Sequence, residues 1–90
     1  LMAYFLVTYD LVKRKDYPEL LSALRKLNGT HKPLDSVWFL DLNNTAEEVK
    51  AHLAVHIDAD DRLMVVEFSK RPAWTKAYTG TNDWVKARFG

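Results

Sequence analysis

Apolar and polar positions along this chain alternate with two different periods. Residues 3–9 place Tyr4, Leu6 and Thr8 on one side and Phe5, Val7 and Tyr9 on the other. A short run this rich in aromatic and β-branched residues predicts a buried strand, and both of its faces are apolar enough to need cover. It ends on one carboxylate, Asp10. Leu20, Leu21, Leu24 and Leu27 then recur at helical spacing. Asp16 is expected to open that helix, with Glu19 three residues on and Pro18 in the first turn, and Asn28-Gly29 to close it. Thr30 to Pro33 predicts a short extended piece, and Pro33 argues against a long central strand there. Ser36 to Leu42 predicts a strand with Trp38, Leu40 and Leu42 on one face and Val37, Phe39 and Asp41 on the other. After a turn at Asn43-Asn44, Thr45 and Glu48 form a capping box for a second helix whose core face is Ala46, Val49 and Leu53. Arg62 to Ser69 predicts the last strand, with Leu63, Val65 and Glu67 opposite Met64, Val66 and Phe68.

The order β-α-β-β-α-β predicts an α+β fold, a ferredoxin-like sandwich over residues 1–69, with 70–90 as a C-terminal aromatic and basic extension. Two helices cover only one face of such a sheet. The second face needs either residues 70–90 or a second copy of the chain, and a homodimer is expected. In the extension, Trp74, Tyr78, Trp84 and Phe89 stand among Lys70, Arg71, Lys76, Lys86 and Arg88, and Thr81-Asn82-Asp83 can start a short helix. Trp74, Tyr78 and Trp84 are the expected docking or dimer contacts. The same interleaving of aromatic and basic residues also suits stacked bases and phosphates.

Ninety residues make one domain. With 48% apolar and 28% charged residues, the balance is that of an ordinary globular protein. The absence of cysteine excludes disulfides and thiolate metal sites. No stretch reaches the roughly 18 apolar residues of a membrane span and no signal peptide is visible, so a cytoplasmic location and no membrane partner are expected. The net charge of +1 hides a segregation: residues 1–34 carry six basic and three acidic residues, 35–69 two and eight, and 70–90 five and one. This segregation reads either as a set of solvated faces or as a basic surface for phosphates set against an acidic region.

Asp10 is the first candidate for chemistry. At the end of a buried strand its charge needs a metal ion, a basic partner or exposure at the sheet rim. Two such carboxylates, brought together by packing of two chains, would make an oxygen site for Mg²⁺ or Mn²⁺, and a metal there can activate water toward a phosphodiester. The alternative is a strand-end aspartate bonded to loop N–H groups. Lys13, Arg14 and Lys15 follow as a basic loop suited to nucleic-acid phosphates. His52 and His56 share a helical face at zinc-helix spacing, but without the glutamate of H-E-x-x-H they read as partly exposed neighbours of the core stripe. His31 reads as a loop residue with no visible partner. Asp58, Asp60 and Asp61 look like the start of a calcium loop, yet the glycine and final glutamate are missing, and a solvated turn is expected. No serine or cysteine nucleophile, P-loop or dinucleotide fingerprint occurs.

Four stretches together resemble the CRISPR-associated Cas-two proteins and their VapD relatives. MAYFLVTYDL over Met2–Leu11 resembles the family's opening strand, and Ser36-Val37-Trp38-Phe39 its Ser-Val-Phe-like strand. TAEEVKAHL over Thr45–Leu53 resembles its second helix, and DDRLMV over Asp60–Val65 its acidic turn and last strand. The resemblance covers about residues 2–69. It implies a ferredoxin-like homodimer that binds RNA or DNA, with Asp10 as ligand of a Mg²⁺- or Mn²⁺-dependent endonuclease or endoribonuclease. Other members are non-catalytic scaffolds, and a dimeric module binding protein or nucleic acid stays open here. Asp35 stands where family members often have Gln or Arg, and the tail is longer and more aromatic than theirs.

Overall fold

The computed structural model describes residues 2–13 and 17–90. Seven elements follow in order: β1 (Ala3–Asp10), α1 (Pro18–Arg25), β2 (His31–Leu34), β3 (Val37–Leu42), α2 (Ala46–Ala54), β4 (Arg62–Phe68) and α3 (Thr81–Phe89). The four strands form one antiparallel sheet in the order β2-β3-β1-β4. β3 lies between β1 and β2, the two strands that α1 joins. This small α+β arrangement is consistent with a ferredoxin-like fold.

Strand alternation divides the sheet into two cores. Phe5, Val7 and Tyr9 of β1 and Trp38, Leu40 and Leu42 of β3 face α1 and α2. There they pack on Leu20, Leu24, Val49 and Leu53, and Phe5, Leu20, Leu24, Leu40 and Leu53 are fully buried. A polar pair inside this layer is satisfied: Trp38 Nε1 donates to Tyr9 Oη at 3.0 Å. α2 begins with the capping box that the sequence predicts. Glu48 N donates to Thr45 Oγ1 and Thr45 N to Glu48 Oε1, at 3.1 and 2.9 Å. Hydrogen bonding from the Thr45 N–H holds the Glu48 carboxyl below its ordinary value.

α1 departs from expectation at both ends. Asp16 lies outside the described residues, and the N-cap is Tyr17, which makes no side-chain capping bond. The helix stops at Arg25, so Leu27 packs against the core from a turn. Thr30 Oγ1 lies 2.8 Å from the Leu24 carbonyl and 2.5 Å from that of Leu27, so it can donate to the helix end. Gly29 reverses the chain with φ +65°, and a Cβ there would stand 2.4 Å from Asp41 Cβ. Gly29→Ala is therefore expected to cost about 1–3 kcal/mol from the left-handed backbone and the clash. An unchanged melting temperature would contradict this turn.

The second face is covered in part by the chain itself. Trp84 and Val85 of α3 are buried against Phe39, with Tyr4, Phe68, Trp74 and Phe89 around them. The rings interlock at centroid distances of 5.0 Å for Phe39–Trp84, 5.0 Å for Tyr4–Phe89 and 5.9 Å for Tyr4–Trp84, the last edge-to-face. α3 is also tied by polar bonds. Trp84 Nε1 donates to the Gly29 carbonyl at 2.7 Å, and Arg88 Nε donates to Asp41 Oδ2 at 2.7 Å. The Arg88 guanidinium lies 4.2 Å from the Trp84 ring centroid.

The edges of the sheet differ. β2 holds Pro33, as an edge strand can, and the Pro33 carbonyl accepts from Tyr78 N at 3.0 Å. β4 pairs with β1 alone among the described residues.

Candidate functional site

At the carboxyl end of β1 the register puts Asp10 opposite Arg62. Both are exposed, and by strand alternation both lie on the face that α3 partly covers. Of the ways to accommodate the Asp10 charge, exposure at the sheet rim is the one the structure displays. Asp10, Arg62, Thr8 and Met64 line a shallow depression of about 220 Å³.

The loops beside it are tied together by Asp61. Its Oδ1 accepts from Val12 N at 2.7 Å and from Tyr17 Oη at 3.3 Å, and its Oδ2 accepts from Asp58 N at 2.7 Å. Desolvation pushes this carboxyl upward, but the three donors and the charge of Lys13 outweigh it and hold the carboxyl below its ordinary value. Asp61 thus joins the β1–α1 connection to the α2–β4 turn. Nothing in the local sequence separates it from Asp58 and Asp60; only its long-range partners do.

Lys13 is exposed and pairs with Asp58 at 3.1 Å. The hydrogen bond to Asp58, and the charges of Asp58 and Asp60, raise its pKa. A phosphate would have to compete with that pair. Arg14 and Lys15 lie outside the described residues. His52 and His56 sit edge-to-face with centroids 6.3 Å apart, and His56 Nδ1 lies 3.9 Å from Glu19 Oε2. Among the described residues no three His, Cys, Asp or Glu side chains come together in a way that could hold a metal ion. Asp10 is one carboxylate beside an arginine. Within one chain that donor set falls short of a divalent-cation cage, and a further carboxylate has to come from elsewhere.

The tail residues divide. Trp84 is buried in the second core, Trp74 packs at its margin under Arg71, and Tyr78 is exposed with its hydroxyl donating to Asp35 Oδ1. That hydrogen bond and the Asp35 charge raise the Tyr78 pKa. Beyond the reach of α3 the second face stays open. Leu6, Val37, Val66 and Phe68 floor a groove of about 320 Å³, which Trp74 and Lys70 help to line. Met64, Val66 and Leu34 are 61%, 44% and 47% exposed there, an uncommon concentration of apolar surface for so small a chain.

Sequence reasoning missed His31 and Asp41. His31 is a β2 residue with a partner on α3, not a solitary loop residue: its Nε2 lies 2.7 Å from Thr81 Oγ1. Asp41 is the one acid in an otherwise apolar strand, and that was the available signal that a cation must meet it. The cation, Arg88, lies 47 residues away.

No family model matches the chain. No solved structure matches it either. No helix is long and apolar enough to cross a membrane among the described residues.

Proposed function

We propose that this chain is a cytoplasmic, nucleic-acid-binding homodimer of the Cas-two and VapD-like kind, acting as a scaffold rather than a nuclease. The observation that carries the reading is the open part of the second sheet face, with Asp10 and Arg62 at its border. A two-fold axis over that open part buries Leu6, Val37 and Val66 of both copies and brings the Asp10–Arg62 borders of the two copies together. The exposed cations Lys70, Arg71 and Lys76 on the strap before α3 then contact phosphates, with Lys13 beside the rim. The solitary Asp10 carboxylate supports a scaffold.

A metal-dependent endonuclease is the second reading, and one observation favours it. Asp10 shares the open face, so the same association brings two Asp10 carboxylates to one border. A Mg²⁺ or Mn²⁺ ion held between them would supply Lewis-acid chemistry to a phosphodiester.

Sedimentation of the intact chain, with titration of labelled single- and double-stranded RNA and DNA at two salt concentrations, tests the first reading. It expects a dimer whose binding weakens steeply with salt and leaves the strands whole. A monomer at high concentration, or no binding at low salt, overturns it. Cleavage with Mg²⁺ or Mn²⁺ that disappears in Asp10→Ala selects the nuclease. Cleavage that survives this substitution belongs to another site or to a contaminant.

A further inference from the structure

Ten of the eleven aromatic side chains lie in or against one of the two cores, and Tyr78 is the exception. Tyr78 is 53% exposed, yet it is fixed at three points. Its N–H donates to the Pro33 carbonyl at 3.0 Å, its carbonyl accepts from Thr81 N at 3.2 Å, and its hydroxyl donates to Asp35 Oδ1. The ring therefore covers neither core. Being held already, it has little freedom left to lose when a ligand arrives.

Tyr78 borders a cleft of about 300 Å³ between the end of β2 and the strap, walled by Pro33, Leu34, Asp35, Lys76 and Ala77. This is the lower end of the size of small-ligand sites. The cleft suits a flat ligand with an apolar face and N–H groups on its edge. Leu34 and Tyr78 are exposed and offer apolar surface. Asp35 uses one carboxylate oxygen for Tyr78, and the other has no partner among the described residues. A carboxylate only accepts hydrogen bonds, and it repels a phosphate from the floor of the cleft. The charge that a phosphate needs stands beside it on Lys76. Residues 70–80 hold Lys70, Arg71 and Lys76 and no acid, and none of the three forms an ion pair among the described residues. Lys13, by contrast, is held by Asp58.

We propose that this cleft takes one unpaired base of a single-stranded nucleic acid, stacked on Tyr78 and donating an amino or ring N–H to Asp35, with Lys76 on the adjoining phosphate. A base inside a duplex has both faces covered by its neighbours and its edge paired, so the cleft selects single strands over duplexes. The inference rests on the nucleic-acid reading above and narrows it to single strands. It holds for each copy whether or not two chains associate.

Fluorescence anisotropy of the full chain tests it, with a labelled mixed-sequence strand of about sixteen nucleotides and with the duplex which that strand forms with its complement. At low salt the strand is expected to bind at least about tenfold tighter than the duplex. Tyr78→Ala should weaken strand binding about 5–150-fold, the range for losing one stacked base, and leave its salt dependence as it was. Tyr78→Phe keeps the ring and should stay within about threefold of the wild type. Lys76→Ala should instead flatten the salt slope by about 0.7. In the wild type, the Tyr78 ring-proton resonances should move upfield as the strand saturates the site, because a base then lies over the ring; this reading does not depend on how any variant folds. Equal affinity for strand and duplex, wild-type binding by Tyr78→Ala, or Tyr78 resonances unmoved at saturation overturns the cleft and leaves the nucleic-acid reading standing. Binding of neither strand nor duplex at low salt overturns both.

Discussion

Removing residues 70–90 is expected to lower stability by about 4 kcal/mol or more and to leave a chain that self-associates. Fully burying one large apolar side chain is worth about 1.5–3 kcal/mol, and the deletion uncovers Phe39 and removes cover from Tyr4 and Phe68. It also removes Arg88 and leaves Asp41 in the sheet with no cation; the Asp41 side chain is only 15% exposed. Small domains have roughly 5–15 kcal/mol in all, so the loss is a large part of the whole. At about 4–8 °C per kcal/mol for a domain of this size, the melting temperature should fall by at least about 15 °C. Thermal unfolding followed by circular dichroism, with light scattering for association, measures both effects. A truncated chain that melts where the full one does would mean that α3 is not part of the folded unit.

Leu24→Ala is expected to cost about 2–5 kcal/mol, the range for truncating a fully buried leucine. Leu24 sits at the centre of the α1 face, among Leu20, Leu53 and the inner residues of β1 and β3. It is on the opposite side of the sheet from Trp84, so its loss should not selectively free α3. Denaturant unfolding gives the magnitude, and hydrogen exchange tells the two faces apart. The Leu24 variant should lose protection across the whole sheet, whereas a lesion under α3 acts first on α3 itself. A cost below about 0.5 kcal/mol would place Leu24 at the surface.

The strands and helices were legible wherever a local rule governs them. Thr45 and Glu48 announce the start of α2 because both partners of the capping box lie within one turn. Tyr4, Leu6 and Thr8 opposite Phe5, Val7 and Tyr9 announce a strand needing cover on two sides, and Gly80 before Thr81-Asn82-Asp83 marks the start of α3. What stayed hidden joins residues far apart in the chain. Nothing near Asp61 separates it from Asp58 and Asp60, since its distinction is to hold Val12 and Tyr17, 49 and 44 residues away. His31 looked solitary because its partner, Thr81, is 50 residues on. The leucine stripe ran one turn past α1 because Leu27 reaches the same core from a turn, and periodicity records burial, not helix. Asp10 stands out in the sequence as a strand-end carboxylate, but its outlet is geometric: a strand that runs to the rim of its sheet carries its last side chain into water.

The two margins of the sheet also bear on how large an assembly it can build. On the β2 side, Pro33 lacks an N–H to offer and its carbonyl is already taken by Tyr78, so a neighbouring backbone finds little to bond. The β4 side has no such stopper among the described residues. A ribbon blocked along one border and free along the other can be lengthened once, by joining two free borders, after which both outer limits are blocked. Growth by strand addition alone is thereby limited to a pair, by a single proline and the tyrosine amide bonded beside it.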